Sequence, residues 1–117
     1  MEGPVMERAR AEKLLGRLPS WRAFWFHDPE GHYTGRFATS LEEFAAHLRE
    51  VELATLKAHA SRGDFSRWVR EAVGDLELAA QLGEAESLEG EALRAELLRL
   101  VEARVVQLRR LARHPIP

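Results

Sequence analysis

Cysteine is absent from the 117 residues, which excludes disulfides, thiolate nucleophiles and every cysteine-containing zinc site and suits a reducing compartment. Asparagine is also absent, and lysine occurs twice, at Lys13 and Lys57, against 15 arginines. Few thermolabile amides beside abundant Glu and Arg suit a thermophile, although Arg over Lys equally suits a GC-rich genome. Neither sign of charge dominates: Lys+Arg 17 against Asp+Glu 19 leaves a net charge of -2, so the global phosphate attraction behind non-specific nucleic-acid binding is missing. No run of about 18 uncharged apolar residues exists, and "MEGPVMERARAEKLLGRLP" is charged and amphipathic without the apolar stretch of a signal peptide. A cytoplasmic chain with no membrane partner is expected. Gly-rich phosphate loops, nucleophile elbows and HExxH are missing too, so no cofactor is expected and any chemistry falls to His, carboxylates, Ser, Thr or Tyr.

A hydrophobic content of 45% is ample for one core, and residues 1–117 are read as a single domain. The period of the apolar residues predicts a mainly α (α+β) fold, a helical domain with one N-terminal aromatic β-hairpin and a long C-terminal helix. Val5, Ala9, Leu14, Leu15 and Leu18 recur at helical spacing over about Pro4 to Arg17. The pattern then changes: "WRAFWFH", the turn "DPEG" and "HYTGRFA" predict strands near Trp21 to His27 and His32 to Ala38. Both faces of that hairpin are largely apolar, so the helices are expected to cover at least one side and part of the other. Ser40 with Glu43 forms a capping box ahead of the stripe Leu41, Phe44, Ala45, Leu48. A break near Val51 or Glu52 precedes a helix carrying Leu53, Leu56 and Ala60.

The dipeptide Gly-Asp then occurs twice, at Gly63-Asp64 and Gly74-Asp75. Each glycine stands where a helix ends in the left-handed conformation, and each aspartate can accept from the unpaired amides of a new helix. Between them Phe65, Trp68, Val69, Ala72 and Val73 make one apolar face; after them Leu76, Ala79 and Leu82 predict a further short helix. Residues 82–91, "LGEAESLEGE", are charged and Gly-bearing, a hinge candidate before the last helix, about Glu91 to Arg113. That helix carries Leu93, Leu97, Leu100, Val101, Val105, Leu108 and Leu111, broken by Arg104, and is long enough to suggest that part of its stripe meets another chain. The core is expected to hold Trp21, Phe24, Trp25, Phe44, Leu48, Leu56, Phe65, Trp68, Val69 and Leu78.

The stretch from His59 onward, with Asp64-Phe65, Trp68, Gly74-Asp75 and Leu78-Ala79, follows the pattern H-x4-DF-x2-W-x5-GD-x2-LA. With the aromatic strand and capped helix before it, it resembles an uncharacterised prokaryotic domain family of unknown function over roughly Trp21 to Leu82. The resemblance implies no activity, substrate or catalytic residue.

Several side chains invite chemistry. His59 with Asp64 has the make-up of a general-base pair, but a helix end and a cap account for both residues, so no catalytic residue is assigned. His27, Asp28 and His32 flank the hairpin turn and offer metal-binding atoms, yet the spacing completes no ligand set and no metal is assigned. His47 and His114 read as surface residues, and Glu84, Glu86, Glu89 and Glu91 as a solvated linker. Arg62, Arg67 and Arg70 on the outer face of the short helices give a weak nucleic-acid footprint, with Glu71, Asp75 and Glu77 close by. By elimination the sequence reads as a small non-enzymatic binding or regulatory module acting through protein contacts, with Arg67, Arg70 and Trp68 as candidate binding residues. Its partner is an unknown protein or, through residues 91–113, a second copy. The alternatives are a nucleic-acid-binding protein using Arg62, Arg67 and Arg70, against which the charge balance argues, and a small metal- or ligand-binding enzyme using His59 or His27/His32.

Overall fold

The last helix organises everything else. In the computed structural model, which describes residues 4–113, α6 (Gly90–Arg113) runs through the molecule with Leu93, Leu97, Leu100, Val101, Val105 and Leu108 buried along one side. Its 24 residues extend for about 36 Å at the α-helical rise. Four other helices pack on that side: α1 (Pro4–Leu15), α2 (Leu41–Glu50), α3 (Leu53–Ser61) and α5 (Leu76–Ala85). Most of the apolar stripe of α6 is thereby covered within the chain, with Leu111 partly buried and Val106 exposed beside it. The short central helices alone would not reach its end, but α1 returns from the start of the sequence and lays Ala11 and Leu14 beside Leu108 and Leu111. The α1 stripe shifts accordingly, with Ala11 buried and Ala9 exposed.

Arg104, which interrupts the apolar series, forms an ion pair with Asp75. Its Nε lies 2.7 Å from Oδ2 and its Nη2 3.0 Å from Oδ1, and Asp75 is fully buried. A buried charge persists only with such a partner.

The hairpin consists of β1 (Phe24–His27) and β2 (Tyr33–Ala38), paired antiparallel with Phe24 opposite Ala38, Trp25 opposite Phe37 and His27 opposite Tyr33. Between the last two pairs β2 carries the longer segment, and Gly35 at φ +90° supplies the left-handed residue of this irregularity. The DPEG turn forms as expected: the Gly31 amide donates to the Asp28 carbonyl at 2.9 Å, and Asp28 Oδ1 accepts from the amides of Glu30 and His32.

Strand alternation decides which aromatics enter the core. Phe24 and Phe26 point inward and meet Phe44, Phe65 and His59, with Trp68 against Phe24. Trp25 therefore faces out at 40% exposure, and Trp21, in a 3-10 turn (Ser20–Arg22) ahead of the strand, is 78% exposed. The core assignment of both tryptophans is corrected: in a two-stranded sheet with helices behind it, one face alone can be covered. Phenylalanine, without a polar atom to satisfy, takes that face.

At the start of α2, Ser40 Oγ accepts from the Glu43 amide at 3.2 Å, half of the capping box. Glu43 reaches one residue further than expected, accepting from the amide and hydroxyl of Thr39 at 2.8 Å each. Among the described residues no helix is long and apolar enough to cross a membrane.

Candidate functional site

Both glycines of the repeated Gly-Asp adopt the left-handed conformation, Gly63 at φ +70° and Gly74 at φ +88°. The second junction works as the sequence suggests: Asp75 Oδ1 accepts from the Leu78 amide at 3.1 Å and caps α5. The first does not. The amides of Phe65 and Ser66, in the first turn of α4 (Asp64–Trp68), donate to Glu86 Oε2 at 3.0 and 3.2 Å, and the Ser66 hydroxyl donates to Oε1 at 2.7 Å. Glu86 is buried, not a solvated linker residue, and it takes the capping work from Asp64.

Asp64, released from the cap, becomes a hub. Its Oδ2 lies 2.8 Å from His59 Nδ1 and 3.1 Å from Arg62 Nε, and its Oδ1 accepts from Arg67 Nη1 at 3.0 Å. On its other side His59 Nε2 accepts the His27 amide at 3.0 Å. Because Nε2 accepts, the proton sits on Nδ1 and is donated to Asp64. A continuous chain of hydrogen bonds thus runs from the backbone of β1 through His59 and Asp64 to two arginines. Burial holds the His59 imidazole below its ordinary pKa, against the pull of Asp64. Burial also works to raise Asp64, but the hydrogen bond from His59 and the charges of Arg62 and Arg67 outweigh it and hold its pKa down. Both nitrogens of His59 are engaged, so neither is free to take a substrate proton or a metal ion.

After Trp68 the chain makes one π-helical turn, Val69–Val73, in which the Gly74 amide reaches back to the Val69 carbonyl at 2.8 Å. The Glu71 carbonyl accepts from Arg22 Nη2 at 2.9 Å, and Trp68 Nε1 donates to the Arg22 carbonyl at 2.8 Å, which fastens the turn to the segment before β1. Trp68 is buried, and the part of its ring that remains accessible lines a cleft.

Together these elements enclose an open cleft of about 520 Å³, a volume within the range of ligand sites. Phe24, Trp25, Pro29, Trp68 and Ala72 supply its apolar wall, and His27, Asp28, His59, Arg62, Asp64, Arg67 and Glu71 its polar groups. Candidates from two separate stretches of sequence meet here. Arg70 lies outside the lining, exposed, with Nη2 3.7 Å from Glu71. His32 is exposed on the turn, its Nδ1 3.4 Å from Asp28 Oδ2. Of the three residues weighed as metal ligands, Asp28 and His32 lie together and His27 stands apart from them. Asp28, Glu30 and His32 offer ligand atoms within 4.8 Å of one another, while His27 Nδ1 lies 3.1 Å from the Trp25 carbonyl. His47, expected at the surface, is half-buried with Arg36 Nη1 3.2 Å from its Nδ1, and His114 lies outside the described residues.

Trp25 links the cleft to a second feature. On the outer face of the hairpin its ring stacks on Phe37 at 4.8 Å and meets Tyr33 edge-on at 5.4 Å, and all three are 39–47% exposed. The sequence reading placed Trp25 in the core and did not single out Tyr33 or Phe37. The signal that could have found them was in view: a hairpin aromatic on both faces in a fold that can cover one.

No family model, curated protein or solved structure matches this chain. The class defined by its own geometry is a helical domain that presents an aromatic hairpin and an adjoining charged cleft.

Proposed function

We propose that this chain is a non-enzymatic binding or regulatory module of the cytoplasm that takes an extended segment of a partner protein along the outer face of its hairpin and into the cleft. The observation that carries this reading is the exposed Trp25–Tyr33–Phe37 cluster, continuous with the cleft through Trp25. Its size selects the kind of partner. Aromatic side chains carry roughly 150–250 Å² each, so three rings at about two-fifths exposure present on the order of 250 Å², well short of the roughly 800 Å² per partner of a standard globular interface. A peptide segment fits that patch better than a second folded surface. The apolar stripe of α6 packs largely within the chain, which favours such a segment over a second copy docked along residues 91–113.

The alternatives have less support. An enzyme built on His59 lacks a free imidazole nitrogen. A nucleic-acid track would need positive potential sustained along an extended surface, whereas the lining of the cleft supplies two arginines, Arg62 and Arg67, on a chain of net charge -2.

Affinity recovery from a native lysate, with and without nuclease, tests the reading against the double variant Trp25→Ala/Phe37→Ala. A nuclease-resistant protein partner held by the unaltered chain and lost by the double variant, with the melting temperature retained, is the expected result. Recovery indifferent to the substitutions, or abolished by nuclease, contradicts it.

A further inference from the structure

Resting on that reading, the geometry points to the chemistry of the partner segment: it presents an acidic side chain, beside an apolar residue, to the Arg62–Arg67 pair. Two guanidiniums share the single carboxylate of Asp64, at 3.1 Å from Arg62 Nε and 3.0 Å from Arg67 Nη1. His59 adds no charge, since its one proton is donated to Asp64 and burial disfavours a second. The cluster therefore carries one uncompensated positive charge. Neutralising a half-buried aspartate needs only one arginine; the second leaves a place for another carboxylate.

Both arginines are held without being consumed. Arg67 is fixed at a second point by its Nη2 donating to the Arg62 carbonyl at 2.7 Å, yet the two side chains remain 52% and 49% exposed. A guanidinium anchored through one edge keeps its other N–H groups for a ligand, and a planar fork of donors matches a carboxylate. Of the other charges in the wall, Asp28 accepts two backbone amides and faces His32, and Glu71 stands beside Arg70. Neither is paired with Arg62 or Arg67.

Position ties the pair to the aromatic face. Asp64 is bonded to His59, His59 to the His27 amide, and His27 lies two residues from Trp25 on the same strand. The relay sets the guanidiniums in register with the ring that forms the apolar wall, the preorganisation that a segment with adjacent acidic and apolar residues requires. A side chain is favoured over a chain terminus because the aromatic face continues beyond the cleft to Tyr33 and Phe37, giving the segment a path onward.

The test is selection of a random peptide display library on the purified full-length chain, followed by calorimetry with one selected synthetic peptide and its counterpart carrying the amide in place of the acid. Selected peptides should share Asp or Glu next to an apolar residue. The amide counterpart should bind about tenfold more weakly to the unaltered chain and equally well to the Arg62→Gln/Arg67→Gln double variant. Arg67→Lys, which keeps the charge without the fork, should show an intermediate loss, and melting temperatures verify that each variant is folded. Selected peptides lacking an acid, or unchanged acid–amide discrimination in the double variant, overturn this inference and leave the module reading standing. Failure to select any peptide overturns both. Preferential displacement of the peptide by single-stranded oligo(dT) overturns the carboxylate assignment in favour of phosphate.

Discussion

Gly63-Asp64 and Gly74-Asp75 are the same dipeptide, each ending a helical segment with a left-handed glycine and each supplying an aspartate to the next element, and the fold uses them in opposite ways. At the second, the carboxylate is fully buried, caps α5 and is gripped by Arg104 of α6. Every acceptor there is committed to holding helices together. At the first, Glu86 arrives from the end of α5 to cap α4, and Asp64 is left to gather His59 and two half-exposed arginines at the rim of a cleft. Local sequence specifies the stop and restart of the chain; the long-range partner decides whether the aspartate is structural or is available to a site.

The contrast can be broken by substitution. Asp75→Ala strands Arg104 in the interior and should cost about 3–5 kcal/mol, read from urea unfolding, whereas Asp64→Ala should cost about 1–2 kcal/mol, because its arginines can turn to water and only the buried His59 Nδ1–H loses its acceptor. Equal costs would erase the distinction. Glu86→Ala leaves the amides of Phe65 and Ser66 without their acceptor and should cost about 1–3 kcal/mol, again from urea unfolding. A cost below the Asp64 value would return the capping role to Asp64.

Acid titration separates the groups further. The His59 pKa is below its ordinary 6.5 in the folded chain, so the unfolded state binds that proton more readily and stability rises with pH across this range. The contribution is complete above about pH 6.5 and is lost as pH falls from there through the folded value. Asp64, held below 3.8, adds a second loss below about pH 3.8. Melting temperature followed from pH 8 to pH 3 should decline in these two stages, and His59→Gln should remove the first; a first stage that persists in the variant would contradict the assignment. The smallest effect belongs to Arg62→Gln or Arg67→Gln, each expected to shift stability by no more than about 0.5 kcal/mol in the same urea series.

The order of elements was legible because it is written locally. The capped stripe of α2, the DPEG turn, both left-handed glycines and the last helix each rest on residues within one or two turns of one another. The errors arose where two distant segments compete for one role. Asp64 has the chemistry of a cap and lost it to Glu86, about twenty residues away; Trp25 has the bulk of a core residue and lost its place to Phe24 and Phe26, for which the helices provide the single covered face. The site was legible only as ingredients. His27, His59, Asp64, Arg62 and Arg67 were each visible as candidates, but the hydrogen bond between the His27 amide and His59 that draws the hairpin to the first junction follows from tertiary packing alone.

The most direct measurement is calorimetric binding of a selected acidic peptide to the unaltered chain and to Asp64→Asn, which keeps an acceptor for His59 but loosens both guanidiniums. The account predicts a folded variant with a nearly unchanged melting temperature and affinity reduced at least about tenfold. Undiminished affinity in that variant would show that the first Gly-Asp junction, like the second, serves only to turn the chain.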